Sequence, residues 1–251
     1  MAALSSNQIK FIRSLSQKKY RQESGLFVVE GEKLVKEALD SKFNVNAVYR
    51  MDEIGEDCMK RITNLATPSP VLAIVEQRNK EFSFNKNKLL ESLKQSENKL
   101  FLALDGVKDP GNLGTIIRLA DWFGIDAIFA SEESVEMYNP KVVQSTMGAI
   151  FRKPVIYTDL NNVVDTFTEA GLPVYGTFLD GENLYNCNTS GMKNGLIVMG
   201  SESFGISKEL EQKITSKLLI PPYPADAQTS ESLNVAIATA IICAEFRRPK
   251  A

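Results

Sequence analysis

From residue 100 onward, short continuous runs recur that are apolar at all or nearly all positions: 100–104, 127–130, 155–157, 174–178, 196–199 and 218–220. Runs apolar on both faces predict strands buried between two layers of helix. Segments with helical spacing separate most of them, at 113–123, 141–147, 160–170, 208–215 and 232–246. Such alternation predicts an α/β fold with a mostly parallel sheet covered by helices.

The pattern before residue 99 is different. It predicts helices at 7–17 and 32–40, and strands at 25–29, 45–49 and 71–75. Leu34, Val35, Ala38 and Leu39 form one stripe of the second helix. A polar stretch at 79–99 carries Lys80, Lys86, Lys88, Lys94 and Lys99 and reads as a helix and linker. Two domains are therefore expected: a small α/β domain over 1–98, linker included, and a larger one over 99–251.

The composition, 43% hydrophobic and 24% charged over 251 residues, is ordinary for a globular chain. The longest apolar run, 235–244, ends at Glu245 and is too short to span a bilayer. Residues 1–8 lack the apolar core of a secretory leader. Cys58, Cys187 and Cys243 are odd in number and far apart, so free thiols in a reducing, cytoplasmic setting are expected. The chain has no histidine. That removes the commonest general base and zinc ligand, so serine–histidine hydrolysis and classical zinc chemistry are not expected.

Charge is uneven along the chain. Residues 1–98 hold 16 Lys/Arg against 13 Asp/Glu, whereas residues 99–251 hold 13 against 18. Lys10, Arg13, Lys18, Lys19 and Arg21 form a cluster with no acid between Gln8 and Gln22. Such a cluster suits phosphate neutralisation, and a solvated helix face explains the same charges equally well.

Three turns stand at the carboxyl ends of expected strands, where open α/β sheets bind ligands. The first, Asp109-Pro110-Gly111-Asn112-Leu113-Gly114, opens a helix carrying Arg118 four residues past Gly114, on the same face. It lacks the GxGxxG and Gly-Lys-Ser/Thr patterns of dinucleotide and P-loop sites. The second, Gly200-Ser201-Glu202-Ser203-Phe204-Gly205-Ile206-Ser207, follows the 196–199 strand. The third runs from Ile220-Pro221 to Ser232-Leu233-Asn234 at the start of the last helix. Each turn alone is explained by a tight connection or a helix cap.

Taken in order, Asn112-x-Gly114-x-x-x-Arg118, Gly200-x-Glu202-x-x-Gly205 and Ser232-Leu233-Asn234 resemble the three motifs of the SpoU-type RNA 2′-O-ribose methyltransferases of the SPOUT superfamily. The match covers about residues 100–248. Asn7-Gln8-Ile9-Lys10 and Phe27-Val28-Val29-Glu30-Gly31 resemble the family's variable RNA-binding domain.

The resemblance implies a C-terminal trefoil knot, S-adenosylmethionine (SAM) held in it, and a homodimer whose site borders both protomers. It marks Arg118, Asn112, Glu202, Ser232 and Asn234 as catalytic, with a structural role at the dimer edge equally open for Glu202. Thr177, Phe178, Met199, Gly200, Gly205, Ile220 and Leu233 are the implied SAM contacts. Lys10, Arg13, Lys18, Lys19 and Arg21 are the expected RNA-binding residues, with ribosomal RNA preferred over transfer RNA as substrate. No metal is expected, because the sulfonium already carries a good leaving group, and no membrane, because the longest apolar run is too short to span one. Many relatives have a short glycine-containing loop where this chain has 222–230. That departure alone supports a rival reading, a non-catalytic RNA-binding or ribosome-assembly protein of the same fold, which predicts damaged turns, whereas Asn112, Arg118, Glu202, Ser232 and Asn234 are all present.

Overall fold

The structure, a computed structural model, describes residues 4–78, 81–95, 98–187, 194–224 and 232–248. Contacts divide the chain into two compact units, one of residues 1–81 with 136–152 and one of 82–135 with 153–251.

In the first unit, β1 (Leu26–Glu30) and β2 (Val45–Arg50) flank β3 (Val71–Glu76) in an antiparallel sheet. Five helices precede or connect these strands: α1 (Ser6–Ser14), α2 (Lys18–Ser24), α3 (Glu32–Leu39), α4 (Met51–Ile54) and α5 (Glu56–Ile62). A capping box starts α1, in which the Ser5 hydroxyl accepts from the Gln8 N–H and the Gln8 side chain accepts from the Ser5 N–H. Ile9, Ile12, Met59 and Ile62 then bury themselves against Val28, Leu72 and Ile74.

The segment 136–152 groups with this unit, although in sequence it lies between strands of the other and was expected there. Aromatic packing explains the placement. The Tyr138 ring lies 4.6 Å from that of Phe27, and Phe151 meets Phe43 edge-on at 5.2 Å. The segment's helix, α8 (Pro140–Ser145), buries Val142 and Val143.

Arg21 departs from expectation. It is 1% exposed, and its guanidinium donates from Nε to Glu136 Oε1 at 2.8 Å and from Nη2 to Oε2 at 3.1 Å. Nη1 donates at 2.8 Å to the carbonyls of Leu15 and Ser16, which end α1. All its donors face protein, so Arg21 is a buried structural cation and not a phosphate-binding residue. Lys10, Arg13, Lys18 and Lys19 are exposed, and Lys19 lies 3.9 Å from Glu23.

The second unit holds a six-stranded, wholly parallel sheet in the order β6-β5-β4-β8-β7-β9. The strands are β4 (Lys99–Asp105), β5 (Ala127–Ala130), β6 (Val155–Tyr157), β7 (Val174–Asn183), β8 (Asn194–Gly200) and β9 (Ser216–Leu219). Every residue of the central β8 is buried, as a strand covered on both faces requires. One layer comprises α6 (Lys86–Gln95), α9 (Leu160–Glu169) and α10 (Lys208–Glu211), whose Leu89, Leu93, Phe167 and Leu210 pack on Phe101, Ala103 and Val198. Two further helices, α7 (Pro110–Trp122) and α11 (Val235–Phe246), pack on each other and supply nothing to that layer.

The strand at 174–178 continues to Asn183 because its pairing with β9 breaks after Thr177 and resumes at Glu182. At Gly181 the two chains approach so closely that a Cβ would lie 2.5 Å from the Leu218 carbonyl carbon. Helix α10 stops at Glu211, short of the expected 215.

Candidate active site

The three turns meet at one end of the parallel sheet. The first begins at Asp109, whose carboxylate accepts from the Asn112 N–H at 2.8 Å and so caps α7, with Pro110 at its first position. This cap fixes the backbone of Asn112 and leaves its amide side chain for other partners.

The second turn is a closed loop directly after β8. Ser201 N–H donates to the Gly205 carbonyl, and Gly205 N–H returns to the Ser201 carbonyl, both at 3.0 Å. Ser201 Oγ accepts from the Phe204 N–H at 3.1 Å. Such a loop folds back over the strand end, where a Cβ on Gly200 would lie 2.1 Å from the Gly205 carbonyl carbon. Gly205 itself has φ +66°, the left-handed region that favours glycine. Both motif glycines are thus required by the shape of the loop. Beyond it, the Ser207 N–H donates to Asp105 Oδ2 at 2.7 Å, tying the loop to the end of β4.

The third turn ends at Asn234, which caps α11: its Oδ1 accepts from Ala236 N–H at 2.9 Å and Ile237 N–H at 3.3 Å. With Oδ1 engaged, only Nδ2 remains to donate, and it reaches Asn112 Oδ1 at 2.9 Å. The Asn112 Nδ2 in turn donates to Glu202 Oε1 at 2.6 Å. A carboxylate can only accept, so donors and acceptors run in one direction from the α11 N-terminus to Glu202. Two hydrogen bonds therefore join three segments separated by 90 and 122 residues.

Beside this relay lies a cavity of about 400 Å³, within the range of small-molecule and cofactor sites. Thr177, Phe178, Met199, Gly200, Gly205, Ile220 and Leu233 all line it, as do Glu202 and Ser232. Ser201, Ser203, Phe204, Leu218, Leu219, Val235 and Ala238 also line it and carried no sequence expectation. Their signal was only their adjacency to motif residues, at the ends of β8 and β9 and the start of α11. The floor is apolar and buried, from Met199, Leu218 and Val235.

Asn112, Asn234 and Arg118 are absent from the lining. The first two touch it through Glu202. Arg118 does not: it is exposed, and it makes no hydrogen bond or ion pair among the described residues. Gly114, expected to share its face, is buried. Of the 222–230 loop, residues 225–230 lie outside the described residues. Among the described residues there is no metal-binding group of three or more His, Cys, Asp or Glu, and no helix long and apolar enough to cross a membrane.

Comparison with known proteins adds to this geometry. Residues 99–244 match the model of the SpoU rRNA Methylase family, and residues 6–87 match that of the MRM3-like substrate binding domain. The chain is 31% identical to the 23S rRNA (guanosine(2553)-2′-O)-methyltransferase RlmP of Bacillus subtilis, over 96% of each chain. It is 30% identical to the 23S rRNA (guanosine-2′-O-)-methyltransferase RlmB of Neisseria meningitidis, over 90% of this chain and 87% of the other. A crystal structure of an AdoMet-bound rRNA methyltransferase from Sinorhizobium meliloti superposes with a TM-score of 0.85 at 32% identity, covering 99% of this chain and 97% of that one.

Proposed function

Since the chain belongs to the SpoU rRNA methylase family, we propose that it transfers a methyl group from SAM to a ribose 2′-hydroxyl of ribosomal RNA in the cytoplasm. The single observation that carries this reading is the junction of all three motif turns at one cavity rim, through Glu202, Asn112 and Asn234.

The residues present fit the cofactor. The buried apolar floor suits an adenosine, and the Glu202 carboxylate at the rim suits a cationic donor. Thr177, Phe178, Met199, Gly200, Gly205, Ile220 and Leu233 would hold it. When bound, SAM supplies an electrophilic methyl on a sulfonium and a neutral leaving group, so no metal is called for.

The chain's own residues then have three tasks. Asn112 and Asn234, locked by the relay, hold the substrate side of the cavity in one arrangement, and alignment contributes several kcal/mol to such a transfer. Ser232, exposed on the lining, orients the hydroxyl. Arg118 binds phosphate and stabilises the developing 2′-oxyanion; a guanidinium keeps its proton, so its role is electrostatic.

Arg118 is uncommitted and stands outside the cavity lining. We therefore place it at the cavity of a second copy in a homodimer. An apolar stripe on α11 supports that pairing: Leu233 and Ile237 are 48% and 53% exposed, with Ile241 partly buried and Ala244 exposed behind them. Lys10, Arg13, Lys18 and Lys19 of the first unit neutralise RNA phosphates. A non-catalytic role would tolerate loss of the relay, and here it is intact. Transfer of labelled methyl to ribosomal RNA by the purified protein tests the proposal, and unlabelled RNA would refute it.

A further inference from the structure

Phe204 is 87% exposed, on a loop that is closed at both ends. The Ser201–Gly205 hydrogen-bond pair and the Ser201 hydroxyl fix its backbone. Two residues earlier, Glu202 is bonded to Asn112. The ring is therefore held out from a fixed support. Leaving an aromatic ring of this size in water forgoes about 2 kcal/mol of burial, which a surface loop avoids with any polar residue.

From these observations, and resting on the methyltransferase reading, we propose that Phe204 is the stacking platform for the base of the nucleotide whose ribose is methylated. The base and the 2′-hydroxyl are carried by neighbouring ribose carbons, C1′ and C2′. One nucleotide can therefore place its hydroxyl at the cavity and its base on a ring at the rim. A nucleotide presented in a loop or bulge leaves its base free, and unpaired bases are recognised by stacking on aromatic side chains.

Two other occupants are less suited to the ring. A bound cofactor would rest on the buried floor of Met199, Leu218 and Val235, whereas Phe204, although it lines the cavity, is largely exposed. A second copy of the chain favours the apolar α11 stripe. The three residues before Phe204 in the loop are Ser201, Glu202 and Ser203, a polar approach unlike the core of a protein interface.

The test is a cycle of two changes in the full-length protein. One is Phe204→Ala, with Phe204→Tyr and Phe204→Trp as conservative controls. The other is an oligoribonucleotide spanning the methylated position, either intact or with that nucleotide made abasic so that its 2′-hydroxyl remains. On intact RNA, Phe204→Ala raises KM for RNA about ten-fold, while the aromatic variants stay within about two-fold of the original. On abasic RNA, the alanine variant and the original protein have the same KM. Calorimetric SAM affinity and sedimentation are unchanged throughout. An equal rise in KM on both RNAs overturns the proposal, as does no rise on either. Lost SAM affinity would make Phe204 a cofactor cap, and a shift to monomer would make it an interface residue; either also overturns it. Absence of methyl transfer by the original protein refutes the methyltransferase reading itself. RNA affinities from filter binding, run through the same cycle, then decide the role of Phe204 separately.

Discussion

Arg21 lies in a polar, basic stretch and Arg118 among apolar residues of α7, and the structure gives each the fate opposite to its surroundings. Arg21 is enclosed by Glu136 and two carbonyls; Arg118 is exposed and uncommitted. Local sequence does not foretell the burial of Arg21, because its partner lies 115 residues away. Arg21→Ala leaves Glu136 and the carbonyls ending α1 without their cation, so stability should fall by about 3–5 kcal/mol, read as a lower denaturant midpoint. Arg118→Ala should leave that midpoint unchanged and lower methyl transfer by about 100-fold or more, with calorimetric SAM affinity retained. Lost SAM binding would contradict the assignment of Arg118 to the substrate.

At the scale of elements, the second turn is the most legible part of the site. Its two glycines are demanded by a backbone that returns over the end of β8, so their spacing survives as a pattern in the sequence. Gly200→Ala should disrupt the loop and reduce SAM affinity, because the added carbon meets backbone and no side chain can yield; unchanged affinity in calorimetry would contradict this. The link from Asn112 to Asn234 was not legible, since a tight strand-to-helix turn explains Asn112 and helix capping explains Asn234 locally. The six strands of the second unit were readable from their continuous apolar runs. Helices α2, α4 and α5 were not, being short and polar. Periodicity identified the helix near 141–147 but could not say which sheet would receive it. That was decided by the rings of Tyr138 and Phe151 against Phe27 and Phe43.

For the whole molecule, the lysines proposed to meet RNA and the cavity proposed for catalysis belong to different units, and each has its own readout. Reversing Lys10, Lys18 and Lys19 to glutamate should flatten the salt dependence of RNA binding by about 2 in logarithmic slope. An unchanged slope would assign those lysines to a solvated face. Sharing of the site between two copies has a distinct signature. The Arg118→Ala protein and a Gly200→Ala protein deficient in SAM binding should each be inactive alone. Mixed one to one and allowed to exchange, they should recover about a quarter of the original activity. No recovery would place Arg118 and the cavity in the same protomer or exclude the dimer.

The most direct measurement incubates the purified protein with methyl-labelled SAM and ribosomal RNA from cells lacking it, then digests the RNA with alkali. A methyl group on a 2′-oxygen blocks cleavage at that position. The label should therefore appear in an alkali-resistant dinucleotide, and the Arg118→Ala protein should yield none. Label released in mononucleotides, as from a methylated base, would contradict ribose methylation, and no incorporation would contradict the activity altogether.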